Sequence, residues 1–329
     1  MPLPDTSRRR LVCGGLAAAG LLALPPVARA APRRLAYLSS DLRIPFWDIL
    51  RRGVAAEAAA RGYQFAAYSA ENNPKRELEN MVAAVRDKVD GIVLSPTNSS
   101  AAVTLLSLAE PAGIPVVIAD IGTDGGRHVA YIASDNREGA YRIGKVLADA
   151  LKARGWTAGT VGIIAIPQKR INGQLRTAGF MQAMEEAGIR SAGLRQQVDF
   201  SHKETYEHAT SLLREHRDLR ALWLQGSDRY QAALEAIRDA KRTGEVLLLC
   251  FDAEPEFLQM IPAGTLVGAA MQQPFLIGEA SVRALDEHLA GKPVKAVQAL
   301  PILAVSKANL QELLPAIRRN VLGIPAGAR

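Results

Sequence analysis

Two apolar runs, one in each half of the chain, end on an acid: Ile114-Pro115-Val116-Val117-Ile118-Ala119-Asp120 and Val246-Leu247-Leu248-Leu249-Cys250-Phe251-Asp252. An unbroken apolar run without polar alternation is the pattern of a parallel strand covered by helices on both faces, and ligands of open parallel sheets bind beyond the strands' carboxyl ends. Each half therefore predicts a carboxylate aimed at a crevice. The flanking sequence alternates strand and helix with short turns, the signature of repeated βαβ units. Strands are expected at Leu35–Ser39, Tyr63–Tyr68 and Gly91–Leu94. Helices are expected at Asp48–Arg61, around Leu78, Met81, Val82 and Val85, and near Ala101–Ala109. A second series starts after Asp135-Asn136. Ile143, Val146, Leu147, Ala150 and Leu151 mark a helix, Val161–Ile166 a strand, and Phe180, Met181 and Met184 the inner face of the next helix. Strands near Ala221–Leu224 and Val246–Phe251 complete it. The segment after Leu266 predicts strand, helix, strand, too little for a third domain and suited to patching both units. The chain is thus α/β, two doubly wound parallel-sheet units in succession, and 329 residues at 48% hydrophobic suffice for real cores.

The first thirty residues stand apart. Ser7-Arg8-Arg9-Arg10-Leu11-Val12 precedes a short apolar stretch through Ala17, Leu21 and Leu24, and Ala28-Arg29-Ala30 fits a cleavage site. This predicts an export signal, the paired arginines favouring the twin-arginine route over an ordinary Sec signal. Loss of Arg8, Arg9, Arg10, Arg29 and Asp5 lowers the formal charge from +7 to about +4. That balance, without a Lys/Arg block interleaved with aromatics, argues against nucleic-acid binding. Cys13 follows Val12 where a lipoprotein site wants a small residue, so lipidation is not expected. Cys250 is then the only mature thiol, expected buried and inert, and no internal disulfide can form.

Catalytic signatures are missing: no G-x-S-x-G elbow, P-loop, H-E-x-x-H or C-x-x-C occurs, and the five histidines show no metal-ligand spacing. His202 and His208 read as surface residues of a helix, and Gly122-Thr123-Asp124-Gly125-Gly126 as a turn. No metal or cofactor is expected. Asp120 and Asp252 could be a general acid/base pair, helix N-caps, or acceptors for a neutral hydroxyl-rich ligand; without other catalytic groups nearby, ligand binding is favoured. Ile44-Pro45-Phe46-Trp47, in the turn after the first strand, would supply rings for the apolar face of a sugar, although the same rings could staple the helix to the sheet.

At these residues the chain resembles the periplasmic sugar-binding proteins of the ribose-binding type, the type I periplasmic binding proteins that serve ABC importers. The resemblance covers Arg34 to about Leu310. It rests on ordered motifs: Pro45-Phe46-Trp47, Glu71-Asn72-Asn73-Pro74, Asp90-Gly91-Ile92, Ser95-Pro96-Thr97, Ile114-Pro115-Val116, Ile132-Ala133-Ser134-Asp135-Asn136, Arg176 before Gly179-Phe180, Asp199-Phe200, Phe251-Asp252, and Gln272 before Pro274. It implies two Rossmann-like lobes joined by a three-segment hinge: an export signal over 1–30, an N-terminal lobe of 31–134 plus 273–300, and a C-terminal lobe of 135–272 plus 301–329. It also implies site roles. Phe46, Trp47 and Phe200 stack on the ligand, Ser40 falls near a hydrogen-bonding position, Asp120 and Asp252 accept from hydroxyls, Arg176 donates from its planar fork, and Gln272 bonds the ligand at a crossing.

The chain departs from that pattern at Ile44, where the family often has Asn, at Ile121, where it has Arg, and at Gly226, where it has Asn. Three polar contacts to ribose are thus lost, with Ser227, Asp228 and Arg229 placed to replace one, which argues against ribose itself. The expected function is hinge-closure capture of a sugar, polyol or related metabolite by a monomeric periplasmic receptor that delivers it to an ABC permease. A sensor presenting its bound state to a membrane histidine kinase or chemoreceptor is the alternative. A sugar-responsive repressor would need an amino-terminal helix-turn-helix where the export signal stands.

Overall fold

The computed structural model describes Met1 and residues 32–324, so the export signal expected over 1–30 lies outside the described residues. In chain order, β1 (Arg34–Ser39), α1 (Pro45–Ala60), β2 (Gln64–Ser69), α2 (Pro74–Arg86), β3 (Gly91–Ser95), α3 (Ser99–Ala109), β4 (Val116–Ala119) and β5 (Ala130–Ser134) form a first series. The second runs α4 (Asn136–Ala153), β6 (Thr160–Ala165), α5 (Ile171–Glu186), β7 (Arg190–Gln196), α6 (His202–Glu215), β8 (Leu219–Leu224), α7 (Tyr230–Asp239), β9 (Leu247–Phe251), α8 (Phe257–Ala263) and β10 (Gly268–Met271). The chain returns through α9 (Pro274–Leu289) and β11 (Val297–Leu300), passes to β12 (Leu303–Ser306), and finishes with α10 (Leu310–Ala316) and a π-helical turn over Ile317–Val321. The segment after Leu266 is therefore longer than the strand, helix, strand expected. It adds a strand and a helical end because it completes two sheets in turn.

The strands make two six-stranded sheets, ordered β11-β5-β4-β3-β1-β2 and β12-β10-β9-β8-β6-β7. The two orders are one order repeated: β4 matches β9, and Asp120 matches Asp252. Neighbours pair in parallel except β12, which runs antiparallel to β10. Between β11 and β12 lie only two residues, Pro301 and Ile302, far fewer than the dozen or so a parallel crossover within one sheet needs.

Each sheet is covered on both faces, which is why its central strands carry no polar alternation. In the first lobe Leu50, Val54, Ile277 and Leu285 of α1 and α9 cover one face, and Met81, Leu105 and Leu106 of α2 and α3 the other. In the second, Leu147, Phe180 and Met184 of α4 and α5 cover one face, where the Phe180 ring stacks on Trp223 at 3.9 Å. Leu212, Ile237 and Phe257 cover the other. The α1–α9 and α4–α5 pairs each approach closely through a glycine: a Cβ on Gly53 would lie 2.1 Å from the Phe275 carbonyl oxygen, and one on Gly179 2.0 Å from that of Arg137.

The chain passes between the sheets at three places: from β5 to α4, from β10 to α9, and from β11 to β12. These crossings bond to one another. The Asp135 N–H donates to the Leu300 carbonyl at 2.9 Å, and Gln273 Nε2 to the Pro301 carbonyl at 2.8 Å.

Candidate ligand-binding site

Both strand-ending aspartates sit in the left-handed region, Asp120 at φ 64° and Asp252 at φ 66°. That conformation costs an L-residue roughly 1–2 kcal/mol, with Asp among the few side chains that visit it. Each residue still donates its N–H to the neighbouring strand, Asp120 to the Ile132 carbonyl at 2.9 Å and Asp252 to that of Ala270 at 2.8 Å. The backbone reverses just beyond the last ladder bond, in both lobes, where the strands' carboxyl ends face each other. Neither residue caps a helix: α4 is capped by Asp135, and α8 begins only at Phe257. The N-cap alternative is excluded.

Asp120 and Asp252 line one cavity of about 60 Å³ together with Ile44, Phe46, Trp47, Arg170, Asn172, Arg176, Phe200, Gln225, Asp228 and Gln272. Pockets that engulf a drug-sized ligand are ~300 Å³ or larger. The lobes therefore stand close together here, and admitting a sugar ring requires them to part. Contacts across the cleft say the same. Asn172 Nδ2 donates to Asp120 Oδ2 at 3.1 Å, Arg170 Nε to the Thr97 carbonyl at 3.0 Å, and the Ile171 N–H to Ser99 Oγ at 3.3 Å.

The polar groups are held rigidly. Arg176, 3% exposed, donates to Asn136 Oδ1 at 2.8 Å and to the Gln225 carbonyl at 2.7 Å, lies 3.8 Å over the Phe251 ring, and stands 3.6 Å from Asp252 Oδ2. Gln272, in the second crossing, donates from Nε2 to Asp252 Oδ1 at 2.6 Å. Burial pushes the Asp120 carboxyl up to about 6, against the pull of Arg176 and Arg170. Burial likewise raises Asp252, opposed chiefly by Arg176. Asp120 Oδ1 and Gln272 Oε1, both buried, have no hydrogen-bond partner in the protein. Such acceptors cost about 1–3 kcal/mol each when left unmade, so a donor-rich ligand between the lobes would recover that loss.

Phe200 owes its position to the hydrogen bonds around the start of α6. Ser201 Oγ accepts from the Glu204 N–H at 3.0 Å, and the Glu204 carboxylate collects the N–H groups of Val198, Asp199 and Phe200. This holds Phe200 at φ 57° with the Arg170 guanidinium 5.4 Å from its ring. Across the cleft, α1 begins at Pro45, three residues earlier than its apolar period indicates, because proline is well suited to a helix's first position. Phe46 and Trp47 are thus in the first helical turn, not the preceding loop. They meet edge to face at 4.8 Å, Trp47 largely in the core and Phe46 half-exposed to the cleft.

Of the residues singled out in the sequence, Phe46, Trp47, Asp120, Arg176, Phe200, Asp252 and Gln272 line the cavity. Ser227 lines an adjoining pocket of about 30 Å³ and donates to Glu254 Oε1 at 2.8 Å. Ser40, just after β1, lines neither space; it is fully buried, its carbonyl accepts from the Asn72 N–H, and its hydroxyl has no hydrogen-bond partner in the protein. Sequence reasoning missed Arg170, Asn172, Gln225 and Glu254. Ile121, standing where the resemblance leads one to expect arginine, is fully buried in the first lobe's core. Arg170 and Asn172 approach Asp120 from the other lobe instead.

Two larger hollows, of about 370 and 470 Å³, lie at the strands' amino ends, beside Val116 and Val129 in one lobe and beside Arg217 and Glu245 in the other. That is the wrong edge for ligands of open parallel sheets. No cluster of His, Cys, Asp and Glu among the described residues could hold a metal ion, and no described helix is long and apolar enough to cross a membrane. Cys250 is buried, and burial raises its thiol well above the usual range.

Residues 35–293 match the periplasmic binding protein domain family. The chain is 28% identical over 263 residues to the ribose import binding protein of Bacillus subtilis, covering 80% of this chain and 84% of that one. It is 29% identical over 279 residues to the D-ribose/D-allose-binding protein of Pseudomonas aeruginosa, covering 81% and 86%. Among solved structures, a carbohydrate transporter solute binding protein from Agrobacterium radiobacter in complex with D-arabinose has the same fold, with a TM-score of 0.80 at 21% identity over 89% of this chain and 100% of that one.

Proposed function

The chain belongs to the periplasmic binding protein family, a family of binding proteins and not of enzymes, and we propose that it captures a small hydroxylated ligand, a sugar or polyol other than ribose, by closure of its lobes and delivers it to an ABC permease. The observation that carries this reading is the convergence of Asp120 and Asp252, equivalent ends of two repeated sheets, on one cavity with Arg176, Gln272 and the rings of Phe46 and Phe200. Carboxylates and amides bond the ligand's rim of hydroxyls while aromatic faces cover its C–H surface. The ribose- and allose-binding relatives support the sugar class. The apolar Ile44 and the bare Gly226, both lining the cavity, support a ligand with fewer hydroxyls than ribose presents there, or a different arrangement of them.

Closure follows from differential affinity. A ligand held by the second lobe alone gains the contacts of Asp120, Phe46 and Trp47 only when the lobes meet, and that gain shifts the population toward the closed state. Gln272 lies in a crossing and bonds Asp252, so ligand contact and hinge geometry are coupled through one side chain. A thermal-shift screen of the mature chain against sugars and polyols tests the reading, a ligand at 100 Kd adding roughly 2.7 kcal/mol of stability. The shift should vanish in Asp252→Asn and be accompanied by compaction in solution scattering. A shift undiminished by that substitution, or no compaction, would overturn it.

A further inference from the structure

Beside the main cavity, across Phe46, Asp228, Asp252 and Gln272, which line both spaces, lies the smaller pocket. Its walls are apolar on one side, Ile44, Ile49, Pro274 and Val321, and acidic on the other, Asp228, Asp252 and Glu254 with Ser227. No cationic side chain lines it. Asp252 has Arg176 at 3.6 Å, whereas the one ion pair of Asp228 is with Arg229, at 3.3 Å and without hydrogen-bond alignment, on a side chain 37% exposed to solvent, and Arg170 acts on it from the main cavity. Glu254 has Ser227 as its hydrogen-bond partner and no ion pair with any described residue. Burial and the facing carboxylates of Asp228, Glu256 and Asp252 push Glu254 up to about 7.

Independently of these acids, Gln272 points to a missing partner. It is 1% exposed, its Nε2 is committed to Asp252, and its Oε1 has none. The unmet groups of the residues that line the pocket are therefore acceptors, Gln272 Oε1 and Asp228 Oδ2, and the Glu254 carboxylate beside them has a single neutral donor, Ser227. A hydroxyl brings one donor and is itself an acceptor, while an ammonium brings three donors, no acceptor and the missing charge. The space of about 30 Å³ exceeds the ~10–15 Å³ that a cavity needs to hold one water, so it admits a small polar group of a ligand whose body lies in the main cavity.

We propose, building on the ligand-capture reading above, that the ligand carries a primary ammonium group, as an amino sugar or amino polyol does, and that the pocket of Ser227, Asp228 and Glu254 receives it. The ring or chain lies between Phe46 and Phe200, and the ammonium projects past Asp252 toward Glu254. This ligand supplies positive charge to a pocket whose walls carry three acids and no cationic side chain.

Calorimetry on the mature chain decides the matter with matched probes: D-glucosamine, D-galactosamine and glucamine against D-glucose, D-galactose and glucitol, and against the N-acetylated amines. At least one amine should bind tenfold or more tighter than its parent, and N-acetylation should remove the gain by neutralising the charge while adding bulk. Glu254→Gln should bring the amine-to-parent ratio within threefold. A parent that binds as tightly as its amine, with binding lost in Asp252→Asn, overturns the ammonium assignment and leaves the ligand-capture reading standing. Binding by none of these probes and no response in the wider sugar and polyol screen overturns both; a response in that screen from uncharged compounds alone overturns only the ammonium assignment.

Discussion

Removal of the Asp252 carboxylate should destabilise the protein by far more than the loss of one ligand contact suggests, because Arg176 is buried beside it. The guanidinium is 3% exposed and stands 3.6 Å from Asp252 Oδ2. At an effective dielectric of 20, two unit charges at that separation attract by ~4.6 kcal/mol before desolvation is counted. Stranding one member of a buried pair costs about 3–5 kcal/mol. Arg176 keeps the Asn136 and Gln225 bonds and the Phe251 ring, which favours the lower end. Asp252→Ala should therefore lower stability by ~3 kcal/mol and Tm by roughly 6–12 °C. Arg176→Met combined with Asp252→Ala removes both charges and should be more stable than Asp252→Ala alone, with a coupling energy of about 2 kcal/mol. Thermal and urea melts of the four proteins, followed by circular dichroism, provide the cycle. If Asp252→Ala lies within about 1 kcal/mol of the parent, or the two substitutions simply add, the pair is not what holds Arg176, and the electrostatic account of the cleft is wrong. Asp252→Asn keeps the shape and an acceptor for Gln272, and is the gentler probe of ligand binding.

The ligand-free protein should lose stability as pH rises from about 4.5 to about 7: Asp120 and Glu254 have folded-state values raised by burial to about 6 and about 7, so in that window the native state holds protons that the unfolded chain has released. Glu254→Gln should flatten the upper part of that slope, and melts at pH 5 and pH 8 showing equal slopes for parent and variant would refute the assignment. Asn172→Ala removes the 3.1 Å bond that crosses the cleft to Asp120. A hydrogen bond to a charged group is worth about 1.5–3 kcal/mol, so the ratio of closed to open protein should fall by roughly tenfold or more. Scattering with ligand present should then show less compaction than in the parent, and an equal compaction would mean that bond does not hold the lobes together.

The sequence made the sheets legible where burial is two-sided. Val116–Ala119 and Leu247–Phe251 are buried throughout, so each reads as an apolar run, and the acid that ends each run marks the ligand edge. β7 escaped because it lies at the edge of its sheet: Arg190–Gln196 is mostly exposed or half-exposed, and its mixed side chains give neither a run nor a clean alternation. The start of α1 was obscured by reading periodicity before the proline. Arg170 and Asn172 could not be read at all, since their importance depends on contacts with Thr97 and Asp120, which are more than fifty residues away in sequence and in the other lobe. Glu254 lay in sight, two residues beyond Asp252, but nothing in its local pattern distinguishes an acid that faces a pocket from one in a solvated turn.

From the sequence, Ile121 beside Asp120 suggests that the first lobe is where ligand choice changed. In the structure most of the cavity's polar groups belong to the second lobe. Ile121 packs in the core, where a fully buried side chain of its size stabilises by about 1.5–3 kcal/mol, and the first lobe offers the cavity one carboxylate and an apolar front of Ile44, Phe46 and Trp47. The second lobe holds Arg170, Asn172, Arg176, Phe200, Asp228 and Asp252, with Ser227 and Glu254 in the adjoining pocket. The two lobes repeat one strand order and place equivalent aspartates opposite each other, yet Asp252 has Arg176 within its own lobe and Asp120 has cationic and amide neighbours only from across the cleft. In the proposed capture, a ligand meets a preformed polar surface on the second lobe first. The first lobe then closes over it, and Asp120 obtains its donors from the second lobe and from the ligand together, so the same step that completes the site also joins the lobes.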